Sequence, residues 1–182
     1  MAEVAIRKPA LSGLLAGSAT VRLTVAPVAN RLALRAPAES VQTLSSALGL
    51  ALPTTPKTSG RSEGRSALWL GPDEWLVIEE AGADLPALLS GVGVLHSAVD
   101  VSHRNVGVIV SGPGAEATLS AGCPQDLSLA VFPVGACSRT IFGKAEIVLF
   151  RTEDDTFRVE CWRSFSDYVF GLLAEGAEDA GH

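Results

Sequence analysis

The sequence is short of charge, of histidine and of cysteine, and each shortage removes a class of function. Asp, Glu, Lys and Arg make up 19% of the 182 residues, against about 25% in an ordinary soluble domain. With 14 basic and 20 acidic residues the formal net charge is −6, and no run of Lys or Arg stands out against it. Nucleic acid and anionic membrane surfaces therefore have no electrostatic hold on this chain. Apolar residues reach 47% and mean hydropathy is +0.31. Exposed apolar area is tolerated only in small patches, so the surplus points to surface covered by partners.

Cys123, Cys137 and Cys161 form an odd set without a CxxC pair, which argues against a disulfide scaffold, a zinc site or a thioredoxin-type motif. They read as small buried hydrophobes in a reducing cytoplasm. His96, His103 and His182 are dispersed and offer no metal set. No stretch reaches the ~18 uninterrupted apolar residues of a membrane span. Arg7 and Lys8 before PALSGLLAGSA imitate an export signal. Glu3 in the basic region, with Pro9, Ser12, Gly13 and Gly17 breaking the apolar run, opposes that reading. A cytoplasmic location is expected.

Periodicity supplies the organisation. Arg31–Ala36 alternates as a strand, and Ala38–Leu50 places Val41, Leu44 and Leu48 on one helical face. Trp69–Leu70 and Glu74–Ile78 make a hairpin across Gly71-Pro72-Asp73. Asp84 caps a short helix to Leu89, with Pro86 in its first turn. The same order returns as a strand at Val106–Ser111 and a helix at Gly114–Ala121, then a hairpin of Ser138–Phe142 with Glu146–Phe150. A further strand, Thr156–Trp162, leads into a helix from Ser164 to about Glu175. Each half reads strand, helix, strand, strand, helix, which predicts an α+β fold of two pseudo-repeated halves with mixed sheets.

The expected boundaries are an N-terminal segment with the first strand over 1–30 and a two-lobed domain over 31–173, with halves 31–98 and 99–173. An acidic, fraying tail over 174–182 follows. PTTPKTSGRSEGRS at 53–66 has no apolar periodicity and reads as a mobile loop.

On the last helix Phe165, Tyr168, Val169, Leu172 and Leu173 already form an apolar stripe, and Phe170 lies off it. An arc of roughly 200° exceeds the ~100° that one core contact needs, so Phe170 is expected at a subunit interface. Trp75 and Trp162 are as readily interface anchors as core residues. Ile147–Phe150 is apolar on both faces, which suits burial under helices or against another chain.

The chemistry-bearing constellations are thin. Gly112, Gly114 and Ala117 match G-x-G-x-x-A, but no ribose-binding acid follows on a second strand and the glycines serve a tight turn. Free N–H groups at the SGPGAE helix start could hold an anion, although Ser111 or the turn itself would cap them. Asp100, Ser102, His103 and Arg104 gather in five residues. Ser102 and His103, as neighbours on a strand, should not face one target. His103 with Cys123 is the one thiol–imidazole combination, and it lacks a supporting signature. Asp73–Glu74 and Asp154–Asp155 sit in turns, where acids rarely converge on a pocket. No catalytic, cofactor-binding or metal-ligating residue is assigned.

Five segments resemble the gamma subunit of bacterial heterotetrameric sarcosine oxidase. They are ALSGLLA at 10–16, LWLGPDEWLV at 68–77, the block from Val99 to Leu127, FPVGACSRTIFGKAEIVLFRT at 132–152 and VECWRSFSDYVFGLL at 159–173. GPDEW, GCPQDL and FPVG are the specific elements. The resemblance implies an aminomethyltransferase-like fold and alpha, beta and delta partner subunits. It also implies a complex that oxidatively demethylates sarcosine to glycine, producing hydrogen peroxide and passing the one-carbon unit to tetrahydrofolate. FAD, FMN, NAD, tetrahydrofolate and zinc then belong to partner subunits, and this chain serves assembly. One rival is a stand-alone folate-binding protein, which needs a carboxylate in its cleft, for which Asp100 and Asp126 are the choices. Another keeps assembly but changes the substrate to another N-methyl amino acid.

Overall fold

The computed structural model describes residues 10–181; the Arg7–Lys8 pair, with the rest of residues 1–9, and residue 182 lie outside that range. The chain runs through β1 (Leu15–Gly17), β2 (Arg22–Val25), β3 (Asn30–Arg35), α1 (Val41–Leu48), β4 (Ser59–Ser62), β5 (Arg65–Gly71), β6 (Glu74–Glu79), α2 (Leu85–Leu89) and β7 (Ser97–Asp100). It continues through β8 (Asn105–Ser111), α3 (Ala115–Ser120), β9 (Cys137–Phe142), β10 (Ala145–Glu153), β11 (Thr156–Trp162) and α4 (Ser166–Asp179). Asp84 caps α2 as expected, its Oδ1 accepting the Ala87 N–H at 3.1 Å.

The strands form two sheets, ordered β1-β2-β8-β11-β10-β9 and β4-β5-β6-β3-β7. The fold is α+β, but the sheets are not mixed: every pairing among the described residues is antiparallel. α2 links the parallel strands β6 and β7, but the antiparallel β3 lies between them, and α1 and α3 each lead to a strand antiparallel to the one before the helix. β6 separates β3 from β5, and β11 separates β8 from β10.

Strand alternation then builds four layers. Leu32, Leu34, Trp75 and Val77 pack on Leu44 and Leu48 of α1 and Leu85 and Leu89 of α2. Val108, Ile147, Leu149 and Val159 pack on Leu119 of α3 and Val169, Phe170 and Leu173 of α4. Between the sheets lie Leu68, Leu76, Ile78, Val148 and Phe150. β10 therefore sends Ile147 and Leu149 to the helices and Val148 and Phe150 to the other sheet, so both of its faces are covered within this chain.

Three expected boundaries change. β1 and β2 belong to the second half's sheet, with Leu23 opposite Val110. Residues 53–66 are not a loop throughout, because β4 pairs with β5 across Glu63–Gly64, Gly64 supplying the positive φ of 70°. Ser59 Oγ donates to Gly135 O at 2.6 Å and Arg61 Nη1 to Thr152 O at 3.2 Å, fastening the hairpin to the other half. The acidic tail does not fray at 174. α4 continues to Asp179 with Gly176 and Ala177 buried, leaving Glu175, Glu178 and Asp179 on its outer face. No helix among the described residues is long and apolar enough to cross a membrane.

Candidate interaction surface

Arg31 on β3 and Arg158 and Glu160 on β11 project into the layer between the sheets, each at most 5% exposed. Glu160 takes two bonds from Arg31, at 2.6 and 3.0 Å, and one from Arg158 Nε at 2.7 Å. Arg158 Nη1 reaches Glu80 at 2.5 Å. Gly107, opposite Glu160 in the register, makes room for them: a Cβ there would stand 2.7 Å from Glu160 Oε1. Charges this deeply buried persist only when paired.

The chain crosses between sheets at 26–29 and again at 101–104. Ile141, Glu146, Trp162 and Asn105 fall in one row across β9, β10, β11 and β8. Trp162 is 42% exposed, Phe165 43% and Ile141 50%. The Arg104 guanidinium lies 5.2 Å over the Trp162 ring, and the Phe165 ring is 6.4 Å away. Arg163 N–H donates to Arg104 O at 2.6 Å, tying the end of β11 to the crossover. Beside this cluster a cleft of about 310 Å³ is lined by Val25–Arg31, Ser102, His103 and Arg163. An aromatic centre with an arginine rim is the composition of a protein interface.

The expected interface residues divide. Trp162 stands on this surface. Trp75 does not: it is fully buried under α1 and α2, with Nε1 donating to Pro53 O at 2.7 Å. Phe170 is also internal, 7% exposed against the first sheet. The buried arc of α4 is centred on Val169, Phe170 and Leu173, not on the Phe165–Tyr168 edge of the apolar stripe. α4 turns Val169, Phe170 and Leu173 inward and leaves Phe165 and Tyr168 outside, the Tyr168 hydroxyl accepting the Lys144 N–H at 3.1 Å.

The polar constellations are engaged in holding loops. Residues 102–104 form a turn rather than a strand, so Ser102 and His103 line the same cleft after all. Ser102 Oγ accepts the Arg31 N–H at 2.8 Å. The Ser102 hydroxyl and backbone N–H hold the Asp100 carboxyl below the usual range. The Ser128 N–H does the same for Asp126, and neither acid lines the 310 Å³ cleft. Cys123 is in the core under α3, away from the cleft that His103 lines. The Gly112–Gly114 turn is shaped by the segment before β2. A Cβ on Gly112 would meet Thr20 O at 2.4 Å, and the Gly114 N–H donates to that same oxygen at 3.1 Å. The start of α3 is thus closed by backbone. No cluster of three metal-ligating side chains occurs among the described residues. Ile141 is brought to this surface only by strand register, and the Arg104–Trp162 stack only by the crossover before β8.

The family model for the sarcosine oxidase gamma subunit matches residues 33–179. A gamma subunit from Corynebacterium sp. (strain P-1) is 32% identical over 139 residues, 75% of this chain and 68% of that protein. The one from Corynebacterium sp. (strain U-96) is 30% identical over 170 residues, 91% of this chain and 83% of that protein. Among solved structures, a chain of the heterotetrameric sarcosine oxidase from Corynebacterium sp. U-96, in complex with pyrrole 2-carboxylate, superposes with a TM-score of 0.85. It is 27% identical, over 92% of this chain and 89% of that one. The glycine cleavage system aminomethyltransferase T from Bartonella henselae, 17% identical with a TM-score of 0.64 over 86% of this chain and 46% of that one, shares the fold. By the extent of these matches, this chain belongs to the sarcosine oxidase gamma subunit family.

Proposed function

We propose that this chain is the non-catalytic assembly subunit of a cytoplasmic heterotetrameric sarcosine oxidase, packing against alpha, beta and delta subunits. Those partners hold the flavins, NAD, tetrahydrofolate and zinc and demethylate sarcosine to glycine, with formation of hydrogen peroxide and 5,10-methylenetetrahydrofolate. Family membership and the overlay on a chain of a heterotetrameric enzyme support this reading. The observation that carries it is Trp162, 42% exposed and fixed between Arg104 and Phe165. A large aromatic held rigid at the surface loses little entropy when a partner covers it.

The test is expression of the chain with and without the three partners, read by size-exclusion mass and by sarcosine-dependent peroxide release. Incorporation into an active complex is expected, with neither turnover nor bound flavin in the isolated chain. A monomer that ignores those partners and binds tetrahydrofolate would overturn the proposal. Peroxide release supported by another N-methyl amino acid in place of sarcosine would move the substrate while leaving the assembly role in place.

A further inference from the structure

β7 is the outermost strand of the second sheet, and its place has a counterpart in the first. β7, β3, β6, β5 and β4 stand side by side in the order of β2, β8, β11, β10 and β9. α1 and α2 follow β3 and β6 as α3 and α4 follow β8 and β11. In the first sheet one strand more, β1, covers β2 and sets Ala16 opposite Leu23. No strand covers β7 among the described residues. We propose that an extended segment of a partner subunit fills this place, pairing antiparallel with Ser97–Asp100 and setting an apolar side chain beside Val99. The proposal rests on the assembly role and specifies how the partner is held.

Val101 donates its N–H to Arg31 O at 2.9 Å, which fixes the alternation along β7. The main-chain groups of Ser97 and Val99 turn to β3, and the N–H and C=O groups of Ala98 and Asp100 turn outward. Those outward groups have no partner among the described residues. Proline, lysine and bulges guard exposed edges in other sheets, and β7 has none of them. Its one charge, Asp100, is turned onto the Ser102 N–H at 2.8 Å. Val99 is instead 54% exposed, and Leu95, just ahead of the strand, 76%.

Two other edges differ. β4, at the far side of the same sheet, has no apolar side chain, and Arg61 lies along it with Nη1 on Thr152 O. β9 is closed at its ends, where Cys137 N–H donates to Lys57 O and Gly143 N–H to Gly122 O. The position of β7 points to the partner. Val99 is paired with Ala33, and Ala33 lines one hollow with Arg104 and Trp162. A strand added at β7 therefore joins the surface that Trp162 anchors. Main-chain bonds then supply affinity, and alternate side chains supply specificity.

Amide hydrogen exchange at residue resolution, in the isolated chain and in the complex with the three partners, tests the pairing. Ala98 and Asp100 should exchange at least about tenfold more slowly in the complex. Ala98→Pro removes an outward N–H, a change that an edge strand tolerates. Val99→Lys puts a charge where the added strand would lie. Each should weaken partner binding at least about tenfold without unfolding the isolated chain, and Val99→Thr should bind nearly as the unaltered chain does. If Ala98→Pro fails to fold, Val99→Lys, at an exposed position, decides. Unchanged exchange at Ala98 and Asp100 in a complex that does form, or full affinity in the folded variants, would overturn the strand and leave assembly standing. Slow exchange of both amides already in the isolated chain would also overturn it, because the edge would be covered without a partner. A chain that enters no complex would overturn both readings.

Discussion

Arg31 and Glu160 stand on different sheets and meet as a bidentate pair, Nε to Oε2 at 2.6 Å and Nη2 to Oε1 at 3.0 Å. The pair clamps the two halves together across the inter-sheet layer, beside the Arg158–Glu80 pair. Glu160→Gln would leave two buried guanidiniums short of charge, and a loss of about 3–5 kcal/mol is expected, read by urea denaturation. Arg35 and Asp73 form a pair whose side chains are 60% and 54% exposed. Arg35→Ala should cost no more than about 1 kcal/mol. Equal costs for the two variants would contradict a clamp.

Two glycines separate close packing from conformational freedom. A Cβ on Gly60 would stand 1.9 Å from the backbone oxygen of Ala51, so β4 cannot hold its place with any side chain there. Gly60→Ala should destabilise by about 1–3 kcal/mol. Gly171, inside α4, has open space around its Cβ position and no positive φ. Gly171→Ala should stabilise by about 0.5–1 kcal/mol. Thermal denaturation would show opposite shifts, of about 2–4 °C per kcal/mol for a chain of this size.

The elements legible in the sequence were those with a regular apolar period or a strong local signal: β3, α1, the hairpins at Pro72–Asp73 and Gly143–Lys144, and the Asp84 cap. β4 has no signal in the sequence, because an edge strand of Ser59-Gly60-Arg61-Ser62 buries little, and its anchors, Gly135 and Thr152, lie far away in sequence. The place of Phe170 is not legible in the sequence, because a helix of Phe, Tyr, Val and Leu shows the width of its apolar arc but not its centre. Only the small residues Gly176 and Ala177, which let α4 approach α3 closely, fix the inward direction. Residue type alone marks Trp162; its stack with Arg104 depends on the 101–104 crossover, which has no local signature.

The thiols provide a pH test. Burial, slightly opposed by a backbone hydrogen bond involving Trp69, pushes Cys137 up to about 12 from an ordinary value of 9.0. Burial, with the Glu160 charge adding to it, does the same for Cys161. Both should resist iodoacetamide at pH 8 in the folded chain and react readily in urea, because the thiolate is the nucleophile. The unfolded chain releases these protons first. Stability should therefore be unaffected by them below about pH 9 and fall between about pH 9 and 12, by at most about 1.4 kcal/mol per pH unit per thiol. Rapid labelling of native Cys137 or Cys161 at pH 8 would refute their burial.

Phe170 and Trp162 distinguish packing within the chain from packing between chains. Phe170 is enclosed by the first sheet, so Phe170→Ala removes a filled core volume and should cost about 3–5 kcal/mol. Its effect on assembly should follow its effect on folding. Trp162 is 42% exposed and touches Arg104 and Phe165, so Trp162→Ala should cost the isolated chain about 1 kcal/mol or less, mainly the lost cation–π contact. In the complex the same change removes an anchor, and affinity for the partners should fall by about 30-fold, equivalent to about 2 kcal/mol. Urea denaturation of the isolated variants, set beside their partner affinities, separates the two effects. If Trp162→Ala left affinity unchanged, or lowered it only in proportion to lost folding, the partners would have to bind a different face.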